Sequence, residues 1–536
     1  MTPRGALWSV FLLLLSAGAV RAAEPLPVLA RVGPWPILDK PIAYQGRLWF
    51  ANSVARRNHN SADIYSYDPA AGTVRYERHL FSQDAGHPAI ARGLLYWPFE
   101  DPRFSVGWGH YMVTDGQAWR TRAIPAGRAF HAHGMAVVGR RLVAATSAWR
   151  ARLSVSDDGG VSWRQVYDHP TEDRRVSRIT SLHVVGDRVF GFLVDRRAAG
   201  TVRKLLQLDG DRVSAVPDWP DGRPVYGLAA HGDGLFALVD EGAGVAVWRT
   251  DGTHSARVAA PRDGWRPRTL ASVNGALWAA TSDPGADAGT LWHSADGAAW
   301  DRRSRLEGGV PTAIAGLGGG IYVTGAGDDG TGILWGTGSG ASSTAAADAT
   351  LPAPAARSRD WSALADRLDA LLANPESYDG YGREIRDLLH DAALAGAPAG
   401  FFADRLKVVM PRRQLDLIGG DTRIDAAGLG RWLVLWAMAR AGQVGVPVDW
   451  IAAPWTAPPN ASEKYFFTPP IAIWAAGEAG QGDTATVGAL VERLDFTDDP
   501  LWLRGDVVGA LTAITGQRFG YDVPAWRRWW RAARSG

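Results

Sequence analysis

The chain has 536 residues, 46% hydrophobic and 21% charged, with a net charge of +2 and no cysteine. It is too long for one ordinary domain and too apolar for a disordered chain, so two or three cores are expected. Interleaved acids and bases exclude the concentrated basic face of a nucleic-acid binder, and the absence of cysteine leaves no disulfide or thiolate chemistry.

The first segment in chain order is MTPRGALWSVFLLLLSAGAVRAAEP. Arg4 precedes an apolar run over Leu7–Leu15, and small residues surround Val20-Arg21-Ala22. This is the pattern of a secretory signal peptide occupying residues 1–23, with cleavage expected after Ala22 or Ala23. An uncleaved anchor is the alternative, although the run is short for a span. With no cysteine at the cut, lipoprotein anchoring is excluded. The expected location is periplasmic or extracellular, in a bacterial setting. No membrane span is expected after cleavage: the best later candidate, Leu429–Ala441, is short and interrupted by Arg431 and Arg440.

Across residues 24–335 one pattern recurs: a turn containing Gly, then two large apolar residues that open a strand. The pairs are Leu48-Trp49, Leu95-Tyr96, Leu142-Val143, Val189-Phe190, Leu235-Phe236, Leu277-Trp278 and Ile321-Tyr322. The steps are 95−48=47, 142−95=47, 189−142=47, 235−189=46, 277−235=42 and 321−277=44. Such a period, built from short strands, predicts the four-stranded blades of a propeller. A second mark follows each pair: an Asp-plus-Gly turn at Asp68, Asp115, Asp158, Asp209, Asp251 and Asp296. Asp accepts backbone N–H groups inside such a turn and Gly takes the positive φ. Trp119, Trp163 and Trp300 follow three of these turns and are expected to pack between neighbouring blades. The expectation is seven blades, with Pro25–Ile37 giving the outer strand of the last, because Ile333-Leu334-Trp335 ends that repeat early. Six blades and an irregular cap are the alternative.

Ser156, Asp158, Gly160, Ser162 and Trp163 of SDDGGVSW stand in the register of the Asp-box, the bacterial neuraminidase repeat S-x-D-x-G-x-[ST]-W, which the stretch resembles. SADGAAW, with Asp296, is a shorter version. The resemblance implies a propeller hairpin, and it implies no activity, because the motif's role is to pin a turn.

Residues 336–357 are small, polar and Pro/Ala-rich and read as a linker. After it the period changes. DWSALADRLDALLAN sets Trp361, Leu364, Leu368, Leu371 and Leu372 on one helical face. Further helices are predicted at 382–394, 400–409, 424–442, 484–494, 501–515 and 523–534, with Asn374-Pro375, Gly419-Gly420 and Pro469-Pro470 as breakers. Residues 358–536 are therefore expected to be all-α. Thr515-Gly516-Gln517, Phe519-Gly520-Tyr521-Asp522, Trp526, Trp529 and Trp530 resemble the terminal segment of some bacterial HEAT-like helical-repeat proteins. That resemblance covers only the end of the chain, and implies a capping unit of an interaction scaffold with no chemistry attached.

Loops that join blades, and the second strand of a blade to its third, share one propeller face, while the Asp turns fall on the other. Counting back from the apolar pairs, His87 (95−8) and His133 (142−9) reach the channel rim, and His131 shares a strand face with His133. His131 and His133, with His87 or His59, are a candidate metal set; polar rim residues bonded to backbone and water are the plainer reading. Arg174, Arg175, Arg223 and Arg266 are candidate ligand-binding residues on the same face. A sialidase would grip a carboxylate with three arginines, but the Arg-Ile-Pro signature is missing; Arg122-Ala123-Ile124-Pro125 is a poor substitute. Glu100, Asp101, Glu172 and Asp173 are the candidate acids of a glycoside hydrolase, if there is one. No Walker loop, dinucleotide fingerprint, H-E-x-x-H or nucleophile elbow stands in suitable context, so no cofactor is expected. The reading is an exported, non-catalytic binding or scaffold protein that holds a protein, peptide or glycan at the channel mouth. A carbohydrate-active enzyme and a metal-binding propeller are the alternatives, and the oligomeric state is open.

Overall fold

The computed structural model describes residues 24–54, 61–102, 107–170, 176–198, 200–259, 265–283, 285, 287–338, 359–416, 423–443, 445–455, 468–480 and 482–535. The expected signal peptide, the expected linker beyond residue 338, and candidate residues His59, Glu172, Asp173, Arg174 and Arg175 lie outside the described residues.

The first strands are β1 (Val28–Val32), β2 (Ile37–Tyr44), β3 (Arg47–Ser53), β4 (Ala62–Asp68) and β5 (Thr73–Leu80). Then come four-stranded antiparallel sheets in chain order. One holds β6 (Ala89–Ala91), β7 (Leu94–Pro98), β8 (Gly109–Thr114) and β9 (Trp119–Ile124). The next holds β10 (His131–Val138), β11 (Arg141–Ser147), β12 (Ala151–Ser156) and β13 (Arg164–Asp168), followed by β14 (Ser177–Val185), β15 (Arg188–Arg197), β16 (Gly200–Asp209) and β17 (Arg212–Ala215). Two more are β18 (Val225–His231), β19 (Gly234–Asp240), β20 (Val245–Thr250), β21 (Ser255–Ala259), and β22 (Pro267–Val273), β23 (Ala276–Ser282), β24 (Ala288–Ser294), β25 (Asp301–Glu307). The last strands are β26 (Gly309–Leu317), β27 (Gly320–Gly327) and β28 (Gly332–Gly336). They take β1 as their outer strand, with Val28 opposite Trp335 and Val32 opposite Gly332. The single pair Ile37–Ala326 joins this sheet to β2–β5.

The first strands of successive sheets pack on one another from β6 through β26, and β26 packs on β2. The arrangement is a β-propeller-like ring of four-stranded sheets. Apolar clusters fill the gaps: Tyr96, Tyr111, Met135 and Leu142 in one, Val143, Leu153, Ile179 and Leu193 in the next. The rings after the Asp turns sit there too, Trp119 at 6.0 Å from Trp49 and Trp163 at 5.9 Å from Tyr111.

All six Asp turns join a third strand to a fourth. Asp158 Oδ1 accepts the N–H groups of Val161 (3.0 Å) and Ser162 (2.9 Å), and Asp68, Asp115, Asp251 and Asp296 accept two each in the same way. Asp209 departs from the expected role. It stays in the ladder opposite Arg212, so the two-residue turn Gly210-Asp211 leaves it no loop N–H to cap.

The C-terminal part contains α1 (Trp361–Ala373), α2 (Asp379–Leu394), α3 (Phe401–Arg405), then β29 (Gln414–Asp416) and β30 (Arg423–Asp425). It continues with α4 (Ala426–Arg440), α5 (Val448–Ala452), α6 (Thr468–Ala479), α7 (Thr484–Arg493), α8 (Leu501–Thr515) and α9 (Val523–Ser535). The paired strands β29 and β30 correct the all-α expectation. α6 was missing from the prediction because Pro469-Pro470 read as a breaker. These prolines occupy the first turn, where an N–H has no intrahelical acceptor to lose. α2, α4, α6 and α8 pack side by side as one layer, backed by α1, α3, α5, α7 and α9. The inner layer also covers the propeller: α8 lies on β5, Trp474 of α6 meets Phe81, and Arg440 of α4 donates to the Thr121 carbonyl at 3.0 Å. Covered on both sides, α4, α6 and α8 are apolar nearly all round. That explains the apolar run Leu429–Ala441; among the described residues no helix is long and apolar enough to cross a membrane.

Candidate functional site

Innermost strands of the ring carry β-bulges at matching places: between Asp39 and Ile42, Ala132 and Gly134, and Thr180 and His183. A bulge turns a side chain out of the regular alternation. At two of them Lys40 (φ 55°) and Ser181 (φ 56°) take left-handed backbone without being glycine. These bulges, with the loops at residues 81–88 and 98–102, bring one cluster together from four sheets.

Lys40 forms a short ion pair with Asp39, and its Nζ lies 3.9 Å from Asp84 Oδ2. Glu100 Oε1 lies 3.3 Å from Arg178 Nη1 and 3.7 Å from His133 Nδ1. His131 and His133 stack with centroids 5.4 Å apart, as strand geometry predicts for residues two apart. His87 Nε2 faces Ser181 Oγ at 3.3 Å. Backbone bonds fix the frame: His87 N–H donates to the His133 carbonyl (3.0 Å) and Glu100 N–H to the Asp84 carbonyl (3.1 Å).

Burial opposes the Lys40 charge, but Asp39 and Asp84 outweigh it and hold the ammonium above its ordinary value. Burial pushes Asp39 up, and Lys40 reverses this and leaves it low. Asp84 goes the other way: burial raises it, Lys40 offsets part, and Asp39 and Glu100 add to the rise. Burial, then Lys40, pushes His87 down to about 3. Burial, then His131 and Arg178, holds His133 well below its usual value. Burial takes the neighbouring His183 down to about 4. At neutral pH these three imidazoles are uncharged and offer one donor and one acceptor each.

Glu100, Asp101 and His131 bring ligand atoms within 4.8 Å of one another, a spacing a cation could bridge. His131 Nδ1 lies 2.6 Å from the Glu100 carbonyl, which can only accept, so that nitrogen carries its proton and any ligation by this ring falls to Nε2. Glu100 itself is held by Arg178. Ser147, His133 and Glu100 have the connectivity of a nucleophile, base and orienting acid, with Ser147 Oγ 2.9 Å from His133 Nε2. Yet Ser147 is fully buried, and the 3.7 Å separation of His133 from Glu100 is too long for a hydrogen bond. The chain Ser147–His133 is a support for the rim.

Of the candidates read from the sequence, His87, His131, His133, Glu100 and Asp101 converge here. Arg223 does not: it is exposed before β18, near Gly242. Arg266 is exposed just before β22 and stays outside the cluster. A rim place in the repeat does not bring a side chain inward when its own sheet is distant from the recess. Lys40, Asp39, Asp84 and Arg178 were missed. The signal for Lys40 was present: counting eight back from the apolar pair gives 95−8=87, 48−8=40 and 189−8=181, hence His87, Lys40 and Ser181.

No protein-family model and no curated protein matches the chain. Among solved structures, it is similar to the β-propeller domain of the Trilobed protease from Pyrococcus furiosus at 10% identity, covering 56% of this chain and 96% of that one, with a TM-score of 0.41. It is also similar to the WD40 β-propeller domain of Doa1 at 10% identity, covering 57% and 96%, with a TM-score of 0.38. Pyrococcus horikoshii acylaminoacyl peptidase matches at 13% identity over 55% of this chain and 51% of that one, with a TM-score of 0.37. It is the sheet order, not these loose likenesses, that makes the β part propeller-like.

Proposed function

We propose that this is an exported, non-catalytic binding protein: a seven-bladed propeller with Asp-box-like turns, followed by a HEAT-like helical array. The seven-blade reading draws on the repeat steps of 42–47 residues and on the closing strand β1. The HEAT-like reading draws on the two helical layers. Export rests on the pattern of residues 1–23.

The channel mouth is the binding site, and the observation that carries this is the convergence of Lys40, His87, Glu100, His131, His133 and Arg178 on one recess. Four carboxylates, two cations and the imidazoles of His87, His131 and His133 alternate donors with acceptors. That wall suits a ligand dense in hydroxyl or amide groups: a glycan, a peptide or a protein segment. The charged groups already pair with one another, so the wall is set before a ligand arrives, which lowers the ordering cost of binding.

Glycan and peptide arrays, followed by calorimetry on the best ligand, test this. Glu100→Gln and Arg178→Ala are each expected to weaken binding about tenfold, the loss of one charge-assisted contact. Binding that both variants leave unchanged would remove the mouth from the proposal. Hydrolysis of a glycan during the titration would instead support the carbohydrate-active reading, with Glu100 and Asp101 as its candidate acids in the cluster.

A further inference from the structure

We infer that the helical layer on the propeller positions the acids of the channel mouth, with Trp474 of α6 as its positioning residue. The inference rests on the channel-mouth reading. Asp84, His87 and Glu100 are carried by loops, and those loops are clipped into a two-armed ribbon. Besides the bond from Glu100 to Asp84, Gln83 N–H donates to the Asp101 carbonyl (3.0 Å), Gly86 N–H to the Pro98 carbonyl (2.8 Å) and Asp101 N–H to Ser82 Oγ (3.0 Å). A two-stranded ribbon is marginal in water when it stands alone. Its geometry therefore depends on what it is packed against.

Part of the hold comes from the ring itself: Ala132 N–H of β10 donates to the Phe99 carbonyl at 2.8 Å. The rest comes from the helices. The first arm starts at Phe81, a buried ring that meets Trp474 edge-on, with centroids 6.1 Å apart and planes at 89°. Phe81 also lies edge-on to His79 at 5.2 Å, and His79 Nε2 is 2.9 Å from Asp506 of α8. The second arm is held through Phe99, whose N–H donates to the His110 carbonyl at 2.9 Å; the buried His110 ring meets Trp436 of α4 edge-on at 6.4 Å. Asp84 follows Phe81 by three positions, about 10 Å of extended chain. That short arm sets the 3.9 Å spacing of Asp84 from Lys40. Coulomb attraction falls with distance, so a shift at Phe81 alters the charge pattern of the recess. By linkage, a change that loosens this seam weakens binding at the mouth.

His87, on the first arm, is the gauge; Lys40, Asp39, His133 and His183 face it. Burial and Lys40 hold its pKa at about 3, so a loosened arm lets it climb toward the ordinary value of about 6.5. The test is NMR of the full chain labelled at histidine, with His87→Gln to assign the signal, together with amide hydrogen exchange. In the unaltered protein His87 is expected not to titrate between about pH 8 and pH 5. Trp474→Ala is expected to bring its midpoint into that range, a rise of about two units, and to speed exchange at the Gln83, Gly86 and Glu100 amides about tenfold. Trp474→Phe, which keeps a ring against Phe81, is expected to restore both readings, and Phe81→Leu to reproduce the loss from the propeller side. Trp361→Ala, in the outer layer against Phe401 at 5.4 Å, is expected to lower the urea midpoint while leaving His87 and the ribbon amides unchanged. No ligand enters these measurements, so a failure here is separate from a failure of the mouth to bind on the arrays. An unmoved His87 with unchanged ribbon exchange in both Trp474→Ala and Phe81→Leu, or the same changes in Trp361→Ala, would overturn the inference.

Discussion

Asp158 shows what one side chain does in this fold. Besides Val161 and Ser162 N–H, it bonds the Ser156 hydroxyl at 2.8 Å. Burial nudges its carboxyl up, but the Ser162 hydroxyl and N–H outweigh this and hold it low. Asp158→Ala should therefore cost about 1–2 kcal/mol of propeller stability, read as a lower urea midpoint with an unchanged slope. It should leave ligand binding alone, because the turn is on the face opposite the mouth. The same residue explains what was legible: an Asp-Gly turn is local chemistry and can be read from a few letters. Arg178 and Asp84 were not legible in that way. Their partners are distant in sequence, Arg178 and Glu100 being 78 positions apart, and the side-chain direction depends on bulges that leave no mark of their own.

Between elements, the tightest seam is α8 on β5. Gly505 and Gly509 let the helix backbone approach His79 so closely that a Cβ at Gly509 would sit 2.5 Å from the His79 Cβ. His79 is fully buried between two carboxylates, Asp63 of β4 at 2.8 Å and Asp506 of α8 at 2.9 Å. Asp63 also accepts Trp35 Nε1 (3.0 Å) and the Tyr521 hydroxyl (2.8 Å). Burial disfavours the imidazolium, but the bonds to Asp506 and Asp63 prevail and raise its pKa. The raised value means the charged form stabilises the docked state fully below about 6.5, the ordinary value of an unfolded histidine, and that this contribution fades as pH climbs through the folded-state value. Denaturation at pH 6 should show His79→Gln about 3–5 kcal/mol less stable, with the gap narrowing by pH 9. A gap that does not change with pH would rule out the charged form. The sequence held Gly505-x-x-x-Gly509 and the Phe519-Gly520-Tyr521-Asp522 stretch in view, but only the fold reveals that both press on the propeller.

Taken whole, the two parts share a core. Trp108, Tyr76 and Phe81 of the propeller belong to the same apolar cluster as Trp436, Trp474 and Trp526. Helices α4, α6 and α8 therefore have no solvent face to fall back on. Residues 359–536 expressed alone should bind a hydrophobic dye and self-associate, while the full chain stays monodisperse under the same conditions; a well-behaved isolated fragment would contradict this reading of the seam. Composition could announce two cores from the sequence, but not that one of them is shared.

The closing strand β1 has only five residues, and it pairs Val28 with Trp335 across nearly the whole ring. The latch is synthesised first, yet its partner emerges only after every other sheet has been made. A chain rearranged so that residues 24–33 follow Gly336 would convert this long-range contact into a local hairpin, so the ring would form faster without changing shape. For the same reason, an extended peptide copying this strand would compete for the open edge of β28 while the ring is still unzipped.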